Sequence, residues 1–372
     1  MEPAHTGKRS ARVQRAGAAL QLPMSAADRG PVRPANPPTS TQHVHPMLHH
    51  AAAPGTTRHR RLRILTWHVH GNYLYYLTQV AHDFFLAVDA AGSMHHTGRS
   101  GTLPWGANVH DAPVDRIRDM GFDVVIHQSR DTWEQDRHRW LSPAQRALPT
   151  LYIEHDPPQQ HPTDSRHWAA DRSVTLVHVT PYNALMWDNG DARVRVIDHG
   201  VAPLAQARYA GELARGIVVV NNLHSRGRRL GLDLFEQVSK VVPLELAGMN
   251  AKQLGGIGEV GHLELPAFMA RHRFFFHPIR YTSLGLALIE AMMCGIPVVG
   301  LATTELVTVI RNGIDGLIDT RVEVLVDGMQ RLLKDRALAA EMGEAGRRRA
   351  IERFGIDRFV DDWLRVLSEA VG

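Results

Sequence analysis

The strongest constraint in this chain is an alternation that runs twice. Short, continuous apolar runs recur at 61–69 (RLRILTWHV), 82–90 (HDFFLAVDA), 122–129, 149–156, 173–180 and 194–200. Helical stretches such as NYLYYLTQVA, VDRIRDMG and PYNALMWDNG lie between them, with a loop over about 91–113. The stretch 201–215 has no strand pattern and carries Pro203 and Gly211. The alternation then restarts at 216–223 (GIVVVNNL), 243–249, 273–279, 297–302 and 316–320. Continuous apolar runs are how parallel strands covered on both faces read in sequence. Two such series predict an α/β chain of two doubly wound, Rossmann-like domains facing across a cleft. The expected division is 59–205, 206–355 and a terminal helix over 356–372. Ligands in such sheets bind beyond the strand C-termini, so the informative residues lie in loops that follow strands.

Residues 1–58 have a different texture, rich in Pro, Ala, Arg and Ser with few large apolar side chains. Such a segment cannot bury enough surface to offset ordering, and disorder is expected. It is Arg-rich like a transit peptide but lacks an amphipathic run, and AGAALQLPM is too short and too late for a secretory signal. No apolar run reaches the ~18–20 residues of a membrane span. The expected location is cytoplasmic, with peripheral contact at the inner face of the membrane left open. The single cysteine, Cys294, excludes an internal disulfide framework and a Cys-rich zinc site. The net charge of +4 is compatible with anionic small molecules, acidic membrane surfaces or nucleic acid. Aromatics and arginines do not interleave in one patch, so nucleic acid is not an expected partner. The 23 histidines show no repeated metal-ligand spacing, and His68 with His70 lacks a third ligand, so no metal site is expected.

The stretch RYTSLGLALIEAMMCGIPVVG, 280–300, reads as loop, helix and strand. Thr282 or Ser283 can cap the helix, and Gly295 can end it in a left-handed conformation ahead of Pro297. The helix is apolar all round except for Glu290. A buried carboxylate needs a basic partner or ligand hydroxyls. Gly285 lets a ligand approach the backbone, and free N–H groups at a helix N-terminus suit phosphate. A helix beginning at Ser283 places Glu290 ~10 Å along the axis. A nucleotide diphosphate-sugar, with phosphates at the cap and hydroxyls farther in, has that shape.

These residues, with IRNGIDGLID, resemble the donor-site signature of the retaining family 4 (group 1) glycosyltransferases of the GT-B fold. The resemblance is close over about 273–320 and looser over 61–370. It implies that Glu290 holds the donor ribose and that the turn at Gly285 and Leu286 presents amides to the diphosphate. Arg226 and Arg229, in NNLHSRGRRLGLDLF, match the family's basic phosphate-binding positions, and Arg228 stands beside them. His155, in YIEHDPP, resembles the histidine that faces the donor sugar and is the catalytic candidate. His70 and Gly71 occupy the family's glycine-rich loop beside donor and acceptor. His199, in VIDHGV, is read as structural, and the terminal helix is expected to cross back onto the first domain.

Three departures stand out. The family's first acidic residue falls on Thr282, eight positions before Glu290. The motif glycine after it falls on Ser283. The Gly-Gly loop after the next strand reads Thr303, Thr304, Glu305. Sugar recognition is where this chain differs most from the family.

The implied reaction moves a hexosyl group from a nucleotide diphosphate-sugar, the co-substrate, to an acceptor hydroxyl with retention of configuration. The acceptor would be a saccharide, a lipid-linked or a small molecule. No cofactor is expected. No carboxylate pair at glycosidase-like spacing is visible, which argues against double displacement. The resemblance implies front-face attack instead. The alternatives are a non-catalytic nucleotide-sugar-binding protein, raised by Thr282, and a sugar-nucleotide epimerase of the same fold.

Overall fold

The computed structural model describes residues 60–202, 204 and 207–372; the N-terminal stretch expected to be disordered lies outside them. Seven strands form one sheet: β1 (Arg63–Thr66), β2 (Asp83–Val88), β3 (Val109–Pro113), β4 (Val124–His127), β5 (Thr150–Glu154), β6 (Val174–His178) and β7 (Arg193–Val196). Their order is β3-β2-β1-β4-β5-β6-β7, and every pairing is parallel. Five more form a second parallel sheet: β8 (Leu213–Val219), β9 (Leu244–Ala247), β10 (His272–His277), β11 (Val298–Leu301) and β12 (Gly316–Asp319). Their order is β12-β11-β10-β8-β9. Both orders are doubly wound, and the fold class expected from the alternation is the one observed. The central strands explain why the pattern was visible: all of β10 and all of β4 are buried.

The sequence reading misses one strand. β3 lies in the stretch expected to be a loop, because VHDAP buries only Val109 and Ala112 and ends in proline. It is the edge strand of its sheet, where a terminal proline breaks no ladder. The helix expected over 114–121 is a single 3₁₀ turn, Ile117–Asp119. β8 starts at Leu213, inside the stretch read as strandless, since its first residues are exposed and are held by pairing with His272.

One hydrophobic core ties the halves of the chain together. Tyr73 and Tyr76 of the helix Gly71–Leu77, Leu288 and Ile289 of the helix Leu286–Cys294, and Phe359 and Trp363 of the terminal helix all belong to it. The terminal helix Ile356–Val371 lies on the first sheet's side. The Phe359 ring meets Tyr73 edge to face at 5.7 Å, and Arg195 pairs with Glu369 at 2.8 Å. At Gly200 a Cβ would come within 2.3 Å of Phe359, so this crossing depends on glycine.

A second tie is polar. Glu305, after β11, is 1% exposed and accepts from the Tyr182 amide at 3.0 Å, across from the second half to the first. Arg353 joins it, reaching Glu305 Oε1 at 2.8 Å and Asp198 Oδ2 at 2.8 Å. These contacts hold the two sheets with the C-terminal ends of their strands facing one cleft.

Candidate functional site

In each sheet the chain reverses its winding at one point, and a crevice opens there at the strand C-termini. In the first sheet it lies between β1 and β4; in the second, between β8 and β10. The segments that follow these strands carry nearly every residue singled out from sequence.

The helix after β10 differs from expectation at its start. It runs Leu286–Cys294, with Gly285 as N-cap and no side-chain cap. Neither Thr282 nor Ser283 caps it. Leu284 is 1% exposed and packs in the core, and Gly285 is extended, so the helix starts only after Gly285. Glu290 therefore sits ~7.5 Å from the cap along the axis, just over one turn inside, closer than the ~10 Å expected. A Cβ added to Gly285 would meet nothing within 4 Å, so the backbone there is open to a ligand. With no capping side chain, the first amides of the helix keep their donors for an anion. Gly295 closes the other end with φ +84°.

A cavity of about 300 Å³ spans the cap and Glu290. Gly285, Leu286, Ala287 and Glu290 form one wall; Val219, Asn221, Ala247 and Gly248, at the ends of β8 and β9, form another; Asn72 enters from the first half. Among the described residues Glu290 has no basic partner other than His262, whose Nδ1 stands 3.6 Å from Oε1. Tyr76 donates to the same oxygen at 3.3 Å. Burial raises the Glu290 pKa to about 8, while the Tyr76 bond pulls it down. Burial also lowers the His262 pKa, so at neutral pH the pair is a protonated acid beside a neutral imidazole. A larger surface hollow of about 590 Å³ beside β9, between Arg215 and Ile257, contains none of these residues.

The basic residues after β8 separate into two groups. Arg228 is bound to Asp233, and Arg280 holds Asp233 through both oxygens at 2.6 and 2.9 Å. Arg280 also donates from its side chain to the Arg228 carbonyl at 2.7 Å, and from its backbone to the Arg229 carbonyl at 3.0 Å. It thus pins the arginine loop to the Tyr281–Gly285 loop. Arg226 and Arg229 make no side-chain hydrogen bond or ion pair among the described residues. Desolvation and the Arg229 charge both lower the Arg226 pKa, against an attraction from Asp156. Neither arginine lines the cavity itself, but the Arg229 charge acts on Tyr281, in the loop that leads to the open helix N-terminus. Two unpaired guanidinium groups that repel each other suit a diphosphate.

The first half supplies the opposite wall. His155 follows β5, and its Nε2 contacts Gln128 Oε1 at 3.2 Å. The Gln128 amide nitrogen faces the Thr66 hydroxyl and the Trp67 carbonyl, so its oxygen accepts and His155 Nε2 donates. Burial, with His70 and His199 nearby, holds the His155 pKa well below its ordinary value. His155 is therefore a neutral imidazole that can orient a hydroxyl but brings no charge. His70 occupies the N-cap position of the helix Gly71–Leu77 without a side-chain capping bond, and its ring lies 4.0 Å from the His155 ring, centroid to centroid. Gly71 is the first residue of that helix rather than part of a flexible turn, and a Cβ there would meet His68 Nε2 at 2.8 Å.

Asp156 was not singled out from sequence. Burial lowers the His70 pKa and Asp156 opposes that shift; Asp156 also attracts Arg226 across the cleft. It is half-buried, and its side chain makes no hydrogen bond among the described residues. Two residues on, the Pro158 carbonyl accepts from Tyr281 at 3.0 Å, which brings this loop against the one bearing Thr282. Thr282 is half-buried, and neither it nor the buried Ser283 makes a side-chain hydrogen bond among the described residues.

Thr304, in the loop that departs from the family's glycine pair, has φ +49°. For a β-branched residue that conformation costs about 1–2 kcal/mol. Glycine removes the clash but returns about 0.5–1 kcal/mol of chain entropy. Thr304→Gly should stabilise the protein by up to ~1 kcal/mol in urea unfolding, and a lowered midpoint would contradict this.

The buried titratable groups also fix how stability varies with pH. Burial lowers His127 and His167 to about 3, and His178, His199 and His277 to about 4. The unfolded chain binds these protons below the ordinary 6.5, so stability is lost as pH falls. Glu154, bonded to His167 at 3.0 Å, and Glu290 are both raised to about 8. They keep protons that the unfolded chain releases above about 4.5, so their contribution falls as pH rises to 8. The buried histidines dominate below 6.5, and the raised carboxyls act above it. The melting temperature should peak near pH 6.5; a continued rise to pH 8 would contradict this.

Solved structures give the class. The Anabaena protein HepE, in complex with UDP and glucose, matches with a TM-score of 0.62 at 13% identity, over 83% of this chain and 100% of its own. Sucrose-phosphate synthase from Thermosynechococcus elongatus matches with a TM-score of 0.61 at 15% identity, over 83% of this chain and 99% of its own. The fold is that of the GT-B glycosyltransferases. Within the chain, residues 246–349 match the model of the family described as glycosyl transferases group 1, and this segment is a domain of that family. The D-inositol 3-phosphate glycosyltransferase of Salinispora arenicola is 37% identical over 117 residues, 29% of this chain and 24% of the relative. Its counterpart from Salinispora tropica is 35% identical over 116 residues. The aligned region thus spans about a quarter of the length of these curated relatives.

Proposed function

We propose that the protein is a retaining hexosyltransferase that takes its donor as a nucleotide diphosphate-sugar and delivers the sugar to an acceptor hydroxyl. One arrangement carries this reading: an uncapped helix N-terminus and two unpaired arginines at the β8/β10 crevice, with a buried carboxyl just over one turn inside. The diphosphate would lie against the amides of Leu286 and Ala287 and between Arg226 and Arg229. The ribose hydroxyls would meet Glu290. The hexose would then project toward Thr282, His155 and Asp156.

Bond cleavage leaves negative charge on the diphosphate, and fixed donors aimed there stabilise it without reorganisation. His155 and His70 would position hydroxyls, and a leaving phosphate oxygen would take the acceptor proton. Among the described residues no carboxylate pair would bracket the proposed hexose position, which supports front-face attack over double displacement. The interdomain contacts would exclude water as the halves close. We take 59–205 and 206–355 as the two domains, with 356–372 packed back on the first. Strands of one sheet ending at Val196 and of the next beginning at Leu213 support that division. Among the described residues no helix is long and apolar enough to cross a membrane.

Thr282 keeps one other reading open, a nucleotide-sugar-binding protein without turnover, because the position facing the hexose carries no charge. Incubation with UDP-, GDP- and ADP-hexoses and an acceptor panel separates the two, with products followed by NMR. Transfer with the donor's anomeric configuration preserved is the expected result. Binding without turnover across the panel would favour the second reading, and no nucleotide binding would remove both.

A further inference from the structure

The inner end of the cavity is not built by the second half alone. Asn72 and Tyr76 stand four residues apart on the helix Gly71–Leu77, and so on one face. Asn72 lines the cavity, and the buried Tyr76 hydroxyl donates to Glu290 Oε1 at 3.3 Å. His262 Nδ1 crowds the same oxygen at 3.6 Å but makes no hydrogen bond to it. Glu290 Oε2 makes no hydrogen bond among the described residues. A carboxyl tethered through one oxygen presents the other in a fixed direction. A ribose needs that, because its two neighbouring hydroxyls must both find an acceptor held in place.

We propose that Tyr76 is a positioning residue for the donor nucleotide: its hydroxyl fixes the Glu290 carboxyl so that Oε2 faces the cavity, with Asn72 completing the pocket from the same helix face. The inference rests on the nucleotide reading of this cavity. It makes the nucleoside end of the site a product of both halves of the chain. Nucleotide binding then favours the approach of the halves, and an open form binds more weakly.

The groups facing the Glu290 carboxyl are Tyr76 from the first half, His262 from the loop before the helix Leu265–Ala270, and Cys294 one turn along its own helix, with Glu259 at the cavity wall. The Tyr76 bond opposes the burial that raises the Glu290 pKa. Removing that hydroxyl should make the carboxyl harder to ionise. Ribose binding by the carboxylate form would then need a higher pH.

Tyr76→Phe keeps the buried ring and removes only the hydroxyl. Titrating the full chain with UDP, GDP and ADP by calorimetry from pH ~6 to ~9 should show Kd raised about tenfold at neutral pH, a lost hydrogen bond to a charged group. The midpoint of the pH dependence should move upward, a change that mere loosening of the fold would not produce. A melting curve confirms that the variant is folded. Wild-type binding with an unaltered Kd and midpoint in Tyr76→Phe overturns this proposal alone. A wild-type protein that binds none of the three nucleotides overturns the nucleotide reading and this proposal with it.

Discussion

Glu290→Gln and Glu290→Ala should each weaken nucleotide binding by about 10- to 100-fold, with little loss of fold. A hydrogen bond to a charged group is worth about 1.5–3 kcal/mol, and the ribose offers two such donors. The fold should survive because the carboxyl does not hold the helix in place. It sits among Tyr76, His262 and Cys294 with no cation that its removal would strand. Its pKa of about 8 adds a second readout. Two ribose hydroxyls pointing at the carboxyl favour its ionised form, so nucleotide binding at pH 7 should release a proton. Calorimetry in buffers of different ionisation enthalpy detects that release, and Glu290→Gln should abolish it. Unchanged affinity in a folded variant would contradict the ribose role.

Replacing Arg226 and Arg229 together by alanine should lower kcat/KM by about 10³-fold or more. Donors aimed at charge that develops in the transition state are each worth about 10²–10³ in rate. The loss should fall on both parameters: KM rises because the bound diphosphate already carries two negative charges, and kcat falls because a further charge develops as the glycosidic bond breaks. Arg228→Ala is the internal comparison. It stands between the other two in sequence, yet its guanidinium is already held by Asp233. Its loss should cost only a few-fold, whereas equal losses at all three positions would mean that a diffuse basic loop, not two placed side chains, meets the phosphates.

Much of this candidate site could be read from the amino-acid sequence, for a physical reason. The helix after β10 is buried, so its one acid stands out against Leu286, Ile289 and Met293. Central parallel strands read as unbroken apolar runs, which made both sheets visible except at the edge strand β3. What the sequence hid were relations across the cleft. Nothing in NYLYYL distinguishes Tyr76 from Tyr75, yet only Tyr76 points its hydroxyl at Glu290. The triplet of arginines reads as uniform charge, and only the fold shows Asp233 and Arg280 occupying Arg228 while leaving its neighbours unpaired. Asp156 follows the more conspicuous His155, and its effect on Arg226 exists only once the halves face each other. The helix start moved because Leu284 is drawn into the core, a tertiary effect that local capping signals at Thr282 and Ser283 do not report.

The most direct test of the nucleotide-sugar reading is a crystal structure of the protein with a bound nucleotide diphosphate-hexose. The site geometry predicts phosphate oxygens within hydrogen-bond distance of the amides at 286 and 287 and of Arg226 and Arg229, with the ribose hydroxyls on Glu290. A nucleotide bound elsewhere, or one whose phosphates leave both arginines unengaged, would contradict it.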